Sequence, residues 1–180
     1  MHIILLSGWA ESGKDTCADY LVTKGYKRLA FADILKKKCA QDTKFPLELT
    51  QTHEGKSSIF RDRTVRQHLI DYANSELKKN TYAFVEEVVV NIEFHNYEKV
   101  VISDWRRIDE LIGLQKFLPK ATIIPIHIQR HLVSPVADIT EYQLSFPFRY
   151  RIENYGTLEE FYAKTEILYN EIRQKMIFFL

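Results

Sequence analysis

Gly8, Gly13 and Lys14 stand at the spacing Gly-x-x-x-x-Gly-Lys, within the run Gly8-Trp9-Ala10-Glu11-Ser12-Gly13-Lys14-Asp15-Thr16. Glycines at these two points let the backbone curl until successive N–H groups face inward, and such a concavity holds phosphate oxygens. A helix starting at Lys14 adds about half a positive charge at the same place. The lysine reaches the β- and γ-phosphates. The run therefore predicts a phosphate-binding loop in which Gly8, Glu11, Ser12, Gly13, Lys14, Asp15 and Thr16 surround a nucleotide. Ser or Thr usually follows the lysine and binds Mg²⁺, but here Asp15 takes that place and Thr16 comes next. Both are candidate metal ligands, and Thr16 is also a candidate for the α-phosphate.

Further charged residues sit where elements should end. Val100-Val101-Ile102-Ser103 is an apolar run closed by Asp104, and ligands in open α/β sheets gather at such carboxyl ends. Asp104 is thus expected beside the loop, with an N-cap of the next helix as the competing role. Arg106 and Arg107 follow, either of which can clamp a phosphate, and Glu110 can orient them. Asp33 lies where the second strand enters a helix and can cap it or touch an acceptor. Lys36 belongs to a run of three lysines that also suits a solvated face. Arg61, Arg63 and Arg66 lead into a helix whose dipole they oppose, a cost that is tolerable if the cluster binds an anion. Arg130 closes the fourth strand and opens an irregular stretch extending to Arg149. The histidines and the two cysteines lack zinc-ligand spacing, and no nucleophile-elbow spacing joins Ser, His and Asp.

These residues need a scaffold. Strands are expected at His2–Ser7, Tyr26–Phe31, Lys99–Ser103, Ala121–Ile128 and Tyr150–Asn154, with Pro125 implying a bulge or edge position. Helices are expected at Lys14–Lys24, Thr64–Lys79, Phe84–Phe94 and Ile108–Leu118, and after the capping box Thr157-x-x-Glu160. Alternating strands and helices mean an α/β fold with a mainly parallel sheet. About seventy mostly helical residues separate the second and third strands, far more than a simple crossover needs. This predicts an inserted subdomain at 32–98, a core of 1–31 and 99–180, and a short lid at 130–149.

The chain has 180 residues, of which 46% are hydrophobic, and its net charge is +1, from 25 basic and 24 acidic side chains. Disorder is excluded, and the balance argues against a nucleic-acid coat. Cys17 and Cys39 suit reduced thiols, hence a cytoplasmic setting. The opening MHIILLSGW reads as a buried strand rather than a secretory leader. No run approaches the ~20 apolar residues of a membrane span. The Val88-Val89-Val90 helix has apolar surface for the core or for a homodimer.

The motifs together resemble the phage-type deoxynucleoside monophosphate kinases. The resemblance is carried by Gly8-x4-Gly13-Lys14-Asp15-Thr16, Phe31-Ala32-Asp33-x-Leu35-Lys36, Arg66, Ile102-Ser103-Asp104-x-Arg106 with Glu110, and Ile152-Glu153-Asn154-x-Gly156-Thr157. It implies a three-layer P-loop kinase with a five-stranded sheet, a helical acceptor-binding insert and a short lid. The activity would be transfer of the ATP γ-phosphate to a deoxynucleoside 5′-monophosphate, with ATP and Mg²⁺ required and only small molecules as partners. By position, Lys14, Thr16 and Asn154 would serve ATP. Asp33, Lys36, Arg61, Arg66 and Glu110 would face the acceptor. Asp104 and Arg106 would lie between the two, and Arg130 would close from the lid, with Arg149 or Arg151 as alternatives. Either Tyr72 or Trp105 would exclude a ribose 2′-hydroxyl. A P-loop kinase for another small acceptor, such as phosphomevalonate or dephospho-coenzyme A, and a silent nucleotide-binding module are the rival readings.

Overall fold

The computed structural model describes residues 1–130 and 145–177. Most of the expected lid, 131–144, lies outside the described residues. In chain order the elements are β1 (His2–Ser7), α1 (Lys14–Thr23), β2 (Lys27–Leu29), α2 (Phe31–Thr43), a 3₁₀ turn (Leu47–Thr50), α3 (His53–Ser57), β3 (Ile59–Phe60), β4 (Arg63–Thr64), α4 (Val65–Lys79), α5 (Ala83–Phe94), β5 (Lys99–Ile102), α6 (Ile108–Phe117), β6 (Thr122–Arg130), β7 (Tyr150–Asn154) and α7 (Leu158–Ile177). The chain divides into two compact units, one of Met1–Leu29, Tyr97–Ile108 and Lys120–Leu180, the other of Ala30–Asn96 and Asp109–Pro119.

The first unit is built on a five-stranded sheet in the order β2-β5-β1-β6-β7, and every pairing in it is parallel. Ile3 to Leu6 on β1 and Val100 to Ile102 on β5 are wholly buried, as uninterrupted apolar runs in parallel strands require. Ile4, Leu6, Ile126, Ile128 and Ile152 form one core with Cys17, Ala18 and Leu21 of α1 and Phe161, Leu168 and Ile172 of α7. That core pushes the Cys17 thiol up to about 12 through desolvation. Alkylation of native protein should therefore leave Cys17 unmodified while unfolded chains react at once; mass spectrometry of iodoacetamide-treated protein checks this.

Two expectations need adjusting. The second strand spans only Lys27–Leu29, and Phe31 opens α2 instead of closing the strand. Pro125 lies in β6, which is not the sheet's edge strand. Its partner on β1 is Leu5, whereas β7 pairs with β6 only from Ile126 onward. At Pro125 the strand is thus locally an edge, where proline is tolerated.

The second unit has a small core of Cys39, Phe45, Val65 and Leu69, closed by Leu49, Phe60 and Tyr72. Helix α5 buries Phe84, Val85, Val88, Val89 and Ile92 but leaves Val90 and Phe94 exposed. Gly113 admits the Tyr82 ring and Val85, since a Cβ there would lie 2.8 Å from one and 3.0 Å from the other.

Candidate functional site

The loop after β1 adopts the conformation its glycines permit. Gly8 has φ 148° and Gly13 φ 108°, and Glu11 between them also has a positive φ of 60°. A Cβ on Gly8 would lie 2.3 Å from the Ile128 carbonyl oxygen and 2.7 Å from Ser12 Oγ. One on Gly13 would lie 2.6 Å from Asn154 Nδ2. Gly13 is also the N-cap of α1, with no side chain capping that end, so the helix's leading N–H groups face the loop. Lys14 is 9% exposed. Its Nζ donates to the Gly8 and Trp9 carbonyls at 2.7 and 2.5 Å, which folds the ammonium back over the loop. Ser12 Oγ is fully buried without a hydrogen-bond partner among the described residues.

Two residues far along the chain complete the rim. Asn154 Nδ2 donates to the Ser12 carbonyl at 2.9 Å, joining the end of β7 to the loop. Arg130 Nη1 donates to the Glu11 carbonyl at 3.1 Å from the end of β6. A cleft of about 400 Å³ opens here; Glu11, Lys14, Asp15, Thr16, Arg130 and Asn154 line it, and Gly156, Leu158 and Phe161 form its apolar side. The apolar side had no signal in the sequence beyond the capping box. Both arms of that box form, Thr157 N–H to Glu160 Oε2 at 2.8 Å and Glu160 N–H to Thr157 Oγ1 at 3.2 Å.

Asp104 is half-buried in the turn after β5. The Ser103 N–H donates to the Leu29 carbonyl and the Trp105 N–H to the Leu6 carbonyl, fixing the turn at the carboxyl edge of the sheet. The N-cap role does not hold, because α6 begins only at Ile108. Arg106 and Arg107 are half-buried just after it. Trp105 is 1% exposed. Its Nε1 donates to the Arg107 carbonyl at 2.7 Å, and its ring meets Phe146 and Phe148 edge-on. It is a core residue and presents no face to a ribose.

Asp15, a candidate metal ligand by its sequence position, has a partner on β2. Arg28 Nη2 donates to Asp15 Oδ1 at 2.6 Å, Nη1 to Asp19 Oδ1 at 3.0 Å, and Nε to Ser103 Oγ at 3.4 Å. The partners are separated by up to 75 positions in the chain, so no local pattern could have revealed them.

His127 was also missed. It is 3% exposed, it lies in register between Ser7 and Arg151, and its Nδ1 has no hydrogen-bond partner among the described residues. Burial, then the Arg151 and Lys14 charges, hold its pKa below the ordinary 6.5. The unfolded chain therefore binds this proton more readily. The stability it contributes is full above pH 6.5 and is lost as pH falls through the lower folded value. Melting curves of wild type and His127→Gln between pH 8 and 5 should converge as the pH drops.

In the second unit, Asp33 and Lys36 form an ion pair at 3.1 Å along α2. Arg61 sits at a hairpin tip with φ 59°, donates to the Thr43 carbonyl at 3.3 Å and stacks over Phe60. Arg63 is engaged by Asp62 and Asp71 at 2.6 and 2.7 Å. Arg66 and Glu110 are half-buried in α4 and α6. Tyr72 donates to Asp42.

Among the described residues no group of three His, Cys, Asp or Glu side chains could hold a metal by itself, and no helix is long and apolar enough to cross a membrane. The sequence matches no family model, and no curated protein is close enough to it to count as a relative. The structure is similar to that of a gluconokinase from Sinorhizobium meliloti, with TM-score 0.53 at 10% identity over 98% of this chain and 96% of that one. A sugar kinase from Janibacter sp. aligns with TM-score 0.45 at 12% identity over 91% of this chain and 90% of that one. The first likeness shows the fold alone: α/β, with a parallel five-stranded sheet.

Proposed function

We propose that the chain is an ATP-dependent phosphotransferase that passes the γ-phosphate to a deoxynucleoside 5′-monophosphate, giving ADP and the diphosphate. The observation that carries the donor half is the loop itself. Its two glycines stand where a Cβ would collide, its lysine is buried against the loop carbonyls, and its cleft lies at the carboxyl end of β1. The acceptor half rests on the similarity of Asp33-x-Leu35-Lys36, Arg66 and Asp104-x-Arg106 to the phage-type enzymes.

Phosphoryl transfer asks a protein mainly for in-line positioning and charge stabilisation. In this reading the loop N–H groups cradle the donor phosphates, and Lys14 turns from the Gly8 and Trp9 carbonyls toward them. Arg130 meets the charge on the transferring group from the rim of the cleft. Asp104 and Arg106 position the acceptor, and Asp33, Lys36, Arg61, Arg66 and Glu110 bind it. Magnesium is ordinarily held by one or two protein oxygens, with phosphates supplying others; Asp15 and Thr16, both on the cleft, fit that donor set. Held by these two residues, the ion would supply positive charge to offset that of the donor phosphates. Both partners are small molecules, and two buried thiols suit a cytoplasmic protein.

The fold neighbour named a gluconokinase favours a second reading, with a hydroxylated small acceptor in place of the monophosphate. An ADP-release assay with ATP, Mg²⁺ and a panel of dNMPs, ribonucleotides, phosphomevalonate and gluconate separates the two. Turnover with one or more dNMPs is expected. Turnover with gluconate alone would establish the second reading, and ATP binding without any turnover would leave a binding module.

A further inference from the structure

We propose that Arg28 is a positioning residue that keeps the polyphosphate cleft receptive by partly offsetting the charge of the two acids on α1. The inference rests on the nucleotide reading above. Asp15 immediately follows Lys14, stands in the first turn of α1 and borders the cleft. Asp19 is one helical turn further along the same face. Without compensation, one carboxylate would stand on the cleft where an anion of three or four charges must bind, with a second one helical turn away. That is the opposite of what a phosphate site needs.

Arg28 supplies the compensation by a fork. One guanidinium nitrogen reaches Asp15 and a second reaches Asp19, while Nε reaches Ser103 at the end of β5. The geometry takes three elements, because β2 must run beside both α1 and β5. The side chains are well exposed, 37% for Arg28, 74% for Asp15 and 64% for Asp19. Exposed ion pairs add little to stability, so the folded state gains little from this network. A polyphosphate arriving at the same surface feels the difference directly, since loss of Arg28 makes the local charge more negative by one unit. A guanidinium is also the suitable group, as a lysine offers no planar fork to span two carboxylates.

Binding of ATP in EDTA, at low salt, isolates this effect from any metal contact of Asp15. Calorimetric titration should show Arg28→Gln binding ATP about tenfold more weakly than wild type. The difference should shrink as salt screens the charges. Arg28→Gln/Asp15→Asn should recover to within about threefold of wild type. Asp15→Asn alone should tighten metal-free ATP binding, and it remains informative if Arg28→Gln does not fold. Under turnover, Arg28→Gln should raise KM for ATP more than it lowers kcat. The proposal is overturned if wild type binds ATP but Arg28→Gln binds equally well, if the double variant stays as weak as Arg28→Gln, or if Asp15→Asn alone fails to tighten binding. If wild type itself binds no ATP, the nucleotide reading falls first and this inference with it.

Discussion

Alanine in place of Lys14 is expected to slow phosphoryl transfer by ~10³-fold or more, the scale on which fixed positive charge at a transferring phosphoryl group acts. The ammonium is nearly buried and held by the Gly8 and Trp9 carbonyls at 2.7 and 2.5 Å. It is therefore already inside the concavity before a ligand arrives, and little reorganisation opposes its action. Lys14→Arg should not restore the rate, because a planar guanidinium cannot sit between those two carbonyls as a compact point charge does. ADP release at saturating substrate measures the loss, with thermal melting in parallel to show that the fold persists. A Lys14→Ala variant that kept a tenth of the wild-type rate would remove the loop from the chemistry.

The second large effect belongs to Gly13. Its φ of 108° disfavours any side chain, by ~1–2 kcal/mol. Its Cβ would in addition lie 2.6 Å from Asn154 Nδ2 and 3.2 Å from Phe161 Cζ. Asn154 would have to give up its bond to the Ser12 carbonyl, and overpacking of this kind costs ~1–3 kcal/mol more. Gly13→Ala should therefore lower Tm by roughly 5–15 °C for a chain of this size and abolish measurable ATP binding. Gly25→Ala is the matched control. Its φ is 87°, but nothing lies within 4 Å of the added carbon, so only the backbone strain remains. Equal melting shifts for the two variants would show that the contact with Asn154 carries no energy.

The parts of this site that were legible in the sequence are those written in local patterns. The loop shows in nine consecutive residues, because a strand, a glycine turn and a helix start are each set by their immediate neighbours. The parallel sheet shows in the unbroken apolar runs of β1 and β5, since strands covered on both faces have no polar period. The capping box before α7 needs only four residues. Lys27–Leu29 and Pro125 were harder to read. A three-residue strand barely has a pattern, and whether a proline sits at an edge depends on where the neighbouring strand begins.

The sequence by itself determined where the candidate phosphate loop lies, because the pattern for such a loop is confined to one short segment and the helix that follows it. Only the tertiary structure decided what surrounds that loop. It brought Asn154 to the Ser12 carbonyl and Arg130 to the Glu11 carbonyl, across 142 and 119 positions. It joined Asp15 to Arg28, turned Trp105 into the core, and buried His127 beside two cations. The reason is the strand order β2-β5-β1-β6-β7. Neighbours in that sheet are seldom neighbours in the chain, so a residue's charge partners follow from the crossovers, which no local spacing encodes.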